Sequence, residues 1–321
     1  LVRDNLIVPF LKSAGYAGAE LRPIAGDASS RSYARFWTDA GSLILMDAPP
    51  PENVGIFADM ATALRLRGYS APEVMAEDRE NGLLLLEDLG DDIIARLIEK
   101  GAPEEVLYRL AVDFLIDLAT LPPPEFLPDF SDDYVMAQNE MFLDYYVPEK
   151  LEAPLSATAR EFYDDIWRNL LPRLHVGPKV MLLRDFHSEN LLYLKDREGV
   201  KALGLLDFQD ALKGPPAYDL VSLLQDARRD VNYTLAEEMM YRYLDRTGLE
   251  EEAFRLSYAA LGAHRALRIM GIFIRLANEY GKPRYLEMIP RMRGHLAANT
   301  AHPGLSALQN WLLLTVGEGR A

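Results

Sequence analysis

The stretch Met181-Leu182-Leu183-Arg184-Asp185-Phe186-His187-Ser188-Glu189-Asn190-Leu191-Leu192-Tyr193 decides the reading of this chain. Its apolar ends predict two short strands, and the polar residues between them predict a loop. Asp185 and Asn190 stand five residues apart in that loop. Phosphoryl transfer from a nucleotide asks little of a protein. One carboxylate accepts or orients the proton of the attacking hydroxyl, and oxygen ligands hold Mg²⁺ against the phosphates. An Asp-x-x-x-x-Asn loop supplies one group of each kind.

Seventeen residues after Asn190, Leu203-Gly204-Leu205-Leu206-Asp207-Phe208-Gln209-Asp210 places a carboxylate at the end of another apolar run. Asp207 there suits a Mg²⁺ ligand, and Asp207-Phe208 resembles the Asp-Phe-Gly element of kinases. Asp and Asn in loops are commonly turn-formers, so neither fragment decides alone. The two in this order, each behind an apolar run, do.

Upstream, the residues up to position 88 predict a small sheet-rich part. Residues 4–14 read as a short helix ending at Gly15, and Leu21-Arg22-Pro23-Ile24 as extended chain. Tyr33 to Trp37 alternate like a strand, and Leu43 to Met46 form its hairpin partner across Asp39 and Gly41. Val54 to Arg67 carries apolar residues at helical spacing, and Leu83 to Leu86 read as a buried strand. From 89 to 321 the pattern becomes helical, beginning with a helix through Glu99 capped by Asp91 and Asp92. Further helices are expected at 103–121, 131–147, 156–173, 217–229, 234–247, 250–280, 284–298 and 304–317. The expected fold is α+β, with a β-rich lobe over 1–88 and a mainly helical lobe over 89–321.

Bulk properties narrow the function classes. The 321 residues include 34 basic and 49 acidic ones, a formal charge of −15. Long-range electrostatics therefore disfavour nucleic acid and anionic membranes as partners. The chain has no cysteine, so thiolate metal sites and a cysteine nucleophile are excluded. No apolar run approaches the roughly 18 residues that span a bilayer, and Leu1-Val2-Arg3-Asp4-Asn5 opens no signal peptide. A cytoplasmic location is expected, with residues upstream of Leu1, since the chain lacks an initial Met. No Walker A, His-Glu-x-x-His or Gly-x-Ser-x-Gly string occurs.

The quoted residues resemble the aminoglycoside phosphotransferase-like branch of the protein-kinase-like superfamily, over nearly the whole chain. Within it, Gly26 to Tyr33, Leu45 to Pro50, Leu86 to Asp91, Leu183 to Leu192 and Leu205 to Ala211 are most similar to the bacterial anomeric kinases of N-acetylmuramate and N-acetylglucosamine. Those enzymes serve cell-wall recycling and place the ATP γ-phosphate on the sugar C1 hydroxyl. The resemblance implies a two-lobed fold, with ATP and Mg²⁺ as cofactors. It implies Asp185 as catalytic base, and Asn190 and Asp207 as metal ligands. It further implies that Ser29, Ser30, Arg31 and Ser32 belong to the phosphate-covering loop, and that Glu87 to Leu89 form a hinge whose backbone pairs with adenine. Asp219 is implied as a buried brace of the catalytic loop, and a helix cap is an equal reading of it.

The family pattern is broken at three places. Gln209 replaces the glycine of Asp-Phe-Gly, and Leu183 replaces a common histidine. The third-strand lysine is missing, with Met46 or Asp47 in its place. Arg31 and Arg35 are candidates to supply its charge, although Arg35 also suits a solvated strand face. For the acceptor, His187 and Glu189 flank the base, and Glu189 equally suits a solvated loop. Arg265 and Arg268 share one side of an apolar helix with His264. They suit either the lactyl carboxylate of N-acetylmuramate or an internal acid such as Glu237, Glu238 or Asp226. Arg228-Arg229 reads as a helix-end charge pair. Three functions fit these residues: an anomeric amino-sugar kinase; a related kinase of an aminoglycoside or choline-like alcohol; or a nucleotide-binding pseudokinase.

Overall fold

The computed structural model describes residues 3–24 and 31–318. Ser29 and Ser30 of the expected phosphate loop lie outside the described residues. The chain forms two compact units, one of residues 1–110 with 188–210, the other of 111–187 with 211–321. Both are discontinuous, which differs from the single boundary after Asp88 expected from the sequence. The difference arises because the segment after Asp185 returns to the first unit to add a β-hairpin there.

The first unit holds helix α1 (Asp4–Ser13) and strands β1 (Arg22–Ile24), β2 (Ser32–Thr38) and β3 (Gly41–Asp47). Helix α2 (Val54–Leu66) and strands β4 (Val74–Asp78) and β5 (Leu83–Glu87) follow. The sheet order is β1-β2-β3-β5-β4, antiparallel throughout. Alternation explains its core. Phe36 and Leu45 turn one way, together with Leu83 and Leu85, and meet Ile7, Phe10 and Leu11 of α1. Leu84 and Leu86 face the opposite side and are equally buried, so β5 reads as an unbroken leucine run. Burying each such side chain contributes about 1.5–3 kcal/mol.

Helix α3 (Ile94–Glu99) begins two residues later than Asp92, and no side chain caps it. The Asp91/Asp92 cap expected from the sequence is therefore corrected. The Asp92 carbonyl accepts from Tyr193 N at 2.8 Å, and Ala95 N donates to Ser188 O at 3.0 Å. Backbone bonds to the hairpin segment thus fix this helix start. The hairpin itself pairs Leu191–Tyr193 with Leu203–Leu205.

Within α4 (Glu104–Ala119) the chain passes into the second unit. That unit contains α5 (Asp132–Met141), a π turn over Phe142–Tyr146, α6 (Val147–Leu151), α7 (Ala157–Leu174) and α8 (Ala217–Leu224). It continues with α9 (Tyr233–Thr247), α10 (Glu251–Tyr280), α11 (Ile289–Thr300) and α12 (Ser306–Thr315). Residues Tyr258 to Leu267 of α10 are buried without interruption, the mark of a helix enclosed on every side. A Cβ at Gly271 would fall 2.0 Å from the Met141 carbonyl oxygen. Only glycine lets α10 approach the chain where α5 widens into its π turn. Among the described residues, no helix is long and apolar enough to cross a membrane.

Candidate active site

In the second unit, the strand Val180–Leu182 pairs with Leu212–Gly214 and leads directly to Asp185. Arg184 turns the chain with φ of 68°, a region that costs a non-glycine residue roughly 1–3 kcal/mol unless its surroundings enforce it. Asp219 helps to enforce it from the first turn of α8. Its two carboxylate oxygens accept from Leu183 N at 2.6 Å and Arg184 N at 2.9 Å. Ser222 Oγ donates to the Arg184 carbonyl at 2.9 Å. The cap position of α8 is Pro216, with no side-chain cap bond; the Asp219 carboxylate instead holds the base's loop. Burial pushes the Asp219 carboxyl up to about 7, opposed by the two N–H donors and reinforced by Asp185. Phe186 stacks on Phe114 at 5.6 Å, anchoring the loop on its other side.

Asp185 itself is half-buried. His187 is 3% exposed, and its backbone N–H donates to the Asp185 carbonyl at 3.1 Å. Arg228 Nη1 lies 3.1 Å from His187 Nε2. Burial, then Arg228 and Arg265, hold the imidazole well below its ordinary pKa, so the ring is neutral.

The two helical arginines of the sequence reading have protein partners. Arg265 is 4% exposed and donates to the Gln225 carbonyl at 3.2 Å, at the end of α8. Asp185 and Asp226 support its charge, while burial lowers its pKa. Arg268 Nε donates to Gln138 Oε1 at 2.5 Å. Of the acids considered, Asp226 acts on Arg265, whereas Glu237 pairs with Arg255 at 3.0 Å.

In the first unit, the hairpin sets Asn190 and Asp207 together. Leu191 faces Leu205, so Asn190 precedes one strand where Asp207 follows the other. Leu206 N donates to Asn190 O at 2.9 Å, and Asn190 Nδ2 stands 3.5 Å from Asp207 Oδ2. Asp207 has φ of 57°. Phe208 is fully buried and stacks on Phe57 of α2 at 4.8 Å, which fixes the neighbouring carboxylate. Gln209 Nε2 donates to Asp207 Oδ1 at 2.9 Å, a use of Gln209 that the sequence does not reveal. A carboxylate and a carboxamide oxygen side by side suit Mg²⁺, which takes one or two protein oxygens and completes its shell with phosphate and water. Among the described residues no cluster of three His, Cys, Asp or Glu could hold a metal, in keeping with so sparse a protein ligand set.

Two of the sequence's questions concern cations here. Arg31 Nη1 reaches Asp207 Oδ1 at 3.2 Å while its Nε reaches Glu52 Oε2 at 3.1 Å. Arg35 is bound instead to Asp88 at 2.6 Å and Asp91 at 2.8 Å. Met46 is buried, and Asp47 accepts from Arg3. Arg31 is therefore the candidate cation that meets the metal-ligand pair, and Arg35 ties β2 to the segment after β5. Glu87 N donates to Glu73 O at 2.8 Å, which leaves the Glu87 carbonyl for an adenine amino group. The Glu87 carboxylate is held by Arg65 at 3.1 Å and Arg197 at 2.6 Å. Leu89 is half-buried, Ser32 Oγ donates to Asp47 O at 3.5 Å, and Glu189 is exposed.

A family model described as "Phosphotransferase enzyme family" matches residues 20–255. The chain belongs to the phosphotransferase enzyme family. This phosphotransferase is 35% identical to an N-acetylmuramate/N-acetylglucosamine kinase of Caulobacter vibrioides, over 96% of this chain and 95% of that one. It is 33% identical to a kinase of the same name from Pseudomonas aeruginosa, over 94% and 90%. Among solved structures, a choline/ethanolamine kinase family protein from Mesorhizobium loti superposes with a TM-score of 0.64 at 19% identity, covering 99% of each chain. An ADP-bound aminoglycoside phosphotransferase superposes at 0.55 with 16% identity, covering 86% of this chain and 94% of that one. These two likenesses show the fold, which is α+β and protein-kinase-like. The phosphotransferase is a small-molecule kinase.

Proposed function

We propose that this kinase transfers the γ-phosphoryl group of ATP to the anomeric hydroxyl of N-acetylmuramate and N-acetylglucosamine, with Mg²⁺, in cell-wall recycling. Similarity along almost the whole chain to kinases of that name carries the reading. ATP places the reaction in the cytoplasm.

Asp185 takes the proton of the attacking hydroxyl, on a loop whose backbone Asp219 holds in place. Asn190 and Asp207 are the metal ligands. Mg²⁺ supplies charge neutralisation at the phosphates when bound. Arg31 provides the positive charge that the missing lysine would bring, and it reaches Asp207 without the metal. Gln209 keeps one Asp207 oxygen oriented. The Glu87 carbonyl and the Leu89 N–H meet the adenine edge, and residues 29–32 cover the phosphates.

The test is ADP release with Mg²⁺-ATP and each sugar, beside the same sugars reduced to alditols at C1. Turnover with both sugars and none with the alditols is expected. Equal turnover with the alditols would place the accepting hydroxyl elsewhere.

A further inference from the structure

The second unit carries a guanidinium beside the catalytic loop that the roles above leave unused. Arg228 lies past the end of α8 and bonds to His187, two residues after Asp185. A neutral ring that accepts at Nε2 carries its proton on Nδ1. It therefore takes a hydrogen bond from Arg228 without cancelling the guanidinium charge.

Charge balance around the base gives that guanidinium a use. An acceptor whose hydroxyl reaches Asp185 brings its substituents into the field of Asp185 and Asp219. The mutual effect of these two acids is visible in the raised pKa of Asp219. The protein as a whole carries −15. A carboxylate on the acceptor is repelled there unless a cation receives it. Two guanidiniums act on His187 and its loop, Arg228 and Arg265. Arg265 is enclosed at 4% exposure and is engaged with the end of α8, so it tunes the field without meeting a ligand. Arg228 is half-buried and reachable. A guanidinium fork matches a carboxylate in two parallel hydrogen bonds.

We propose that Arg228, oriented by His187, reads the carboxylate of the acidic acceptor and so sets the preference for N-acetylmuramate over N-acetylglucosamine. This rests on the amino-sugar kinase reading. His187 acts here as a positioning residue.

The experiment measures kcat and KM of the full chain, wild type, R228A and R228K, with both sugars and with the methyl ester of N-acetylmuramate. The ratio of kcat/KM for the two sugars is internal to one preparation, so a partly folded variant does not distort it. In R228A the ratio should shift against N-acetylmuramate by about 10–100-fold, mainly through KM, the effect of losing a charge-assisted bidentate contact. R228K should recover part of the shift. Wild type should prefer the free acid to its ester, and R228A should not. An unchanged ratio in both variants, or wild-type indifference to esterification, overturns the proposal while leaving the kinase reading intact. A wild-type enzyme that phosphorylates neither sugar overturns the kinase reading itself, and the proposal with it.

Discussion

A general base works only if its carboxylate is aimed before the substrate arrives, and at Asp185 much of the aiming is done by Asp219. Its bonds to Leu183 N and Arg184 N hold the turn in which Arg184 takes positive φ. The two acids should therefore fail differently. D185A is expected to lower kcat by about 10²–10⁴-fold with Tm and nucleotide Kd unchanged; wild-type turnover would remove Asp185 from the chemistry. D219A strands two N–H donors in the interior, at about 1–3 kcal/mol each, and should lower Tm together with kcat. At the metal pair, R31A should raise the Kd for Mg²⁺-ATP roughly tenfold, the scale of one charged hydrogen bond. An unchanged Kd in equilibrium titration would leave the missing lysine without this substitute. Residues of this kind were legible where the chemistry is local in sequence. Asp185, Asn190 and Asp207 stand within one hairpin and its flanks. The pairings Arg31–Asp207, Arg35–Asp88 and Arg228–His187 were not, because residues far apart in the chain meet only through the fold.

At the scale of elements, alternation and turn residues announce β2, β3 and their hairpin, and helical periodicity announces α2 and α10. Helix ends are harder to read. The sequence extends α8 to Arg229, yet it stops at Leu224. Asp226 Oδ1 accepts from Arg228 N at 2.9 Å, a local turn that competes with helix, and Arg265 takes the Gln225 carbonyl. That early stop puts Arg228 beside His187 rather than on a solvated helix face. The π turn after α5 was equally hidden, since its cause lies in α10. G271A places a methyl group against the Met141 carbonyl and should cost about 1–3 kcal/mol as overpacking, read as a lower midpoint in urea. A stability equal to wild type would show that the two segments have room to part.

For the whole molecule, the buried titratable groups set the response to acid. His264 is pushed down to about 3, by burial first and then by Arg268 and Arg184. His187 lies well below its ordinary value, and His295 is lowered, chiefly by burial. The folded protein keeps these rings neutral, while the unfolded chain binds their protons as pH falls through about 6.5. Their contribution to stability is complete above that pH and drains away below it. Asp219 works in the opposite sense, since its raised pKa adds stability at low pH that is lost as pH rises through about 7. Three groups against one predict a Tm that falls between pH 7.5 and 5.5, with a shallower fall in H264Q. A Tm that holds or rises over that range contradicts the balance.

The measurement that bears most directly on the central claim is the position of the phosphate in the product. The enzyme is incubated with Mg²⁺-ATP and N-acetylglucosamine, and a phosphorus–proton correlation spectrum is recorded. Phosphorus coupled to the anomeric proton, with loss of the reducing end, is the predicted result. Phosphorus coupled to the C6 protons, with the reducing end intact, would contradict the assignment of an anomeric kinase.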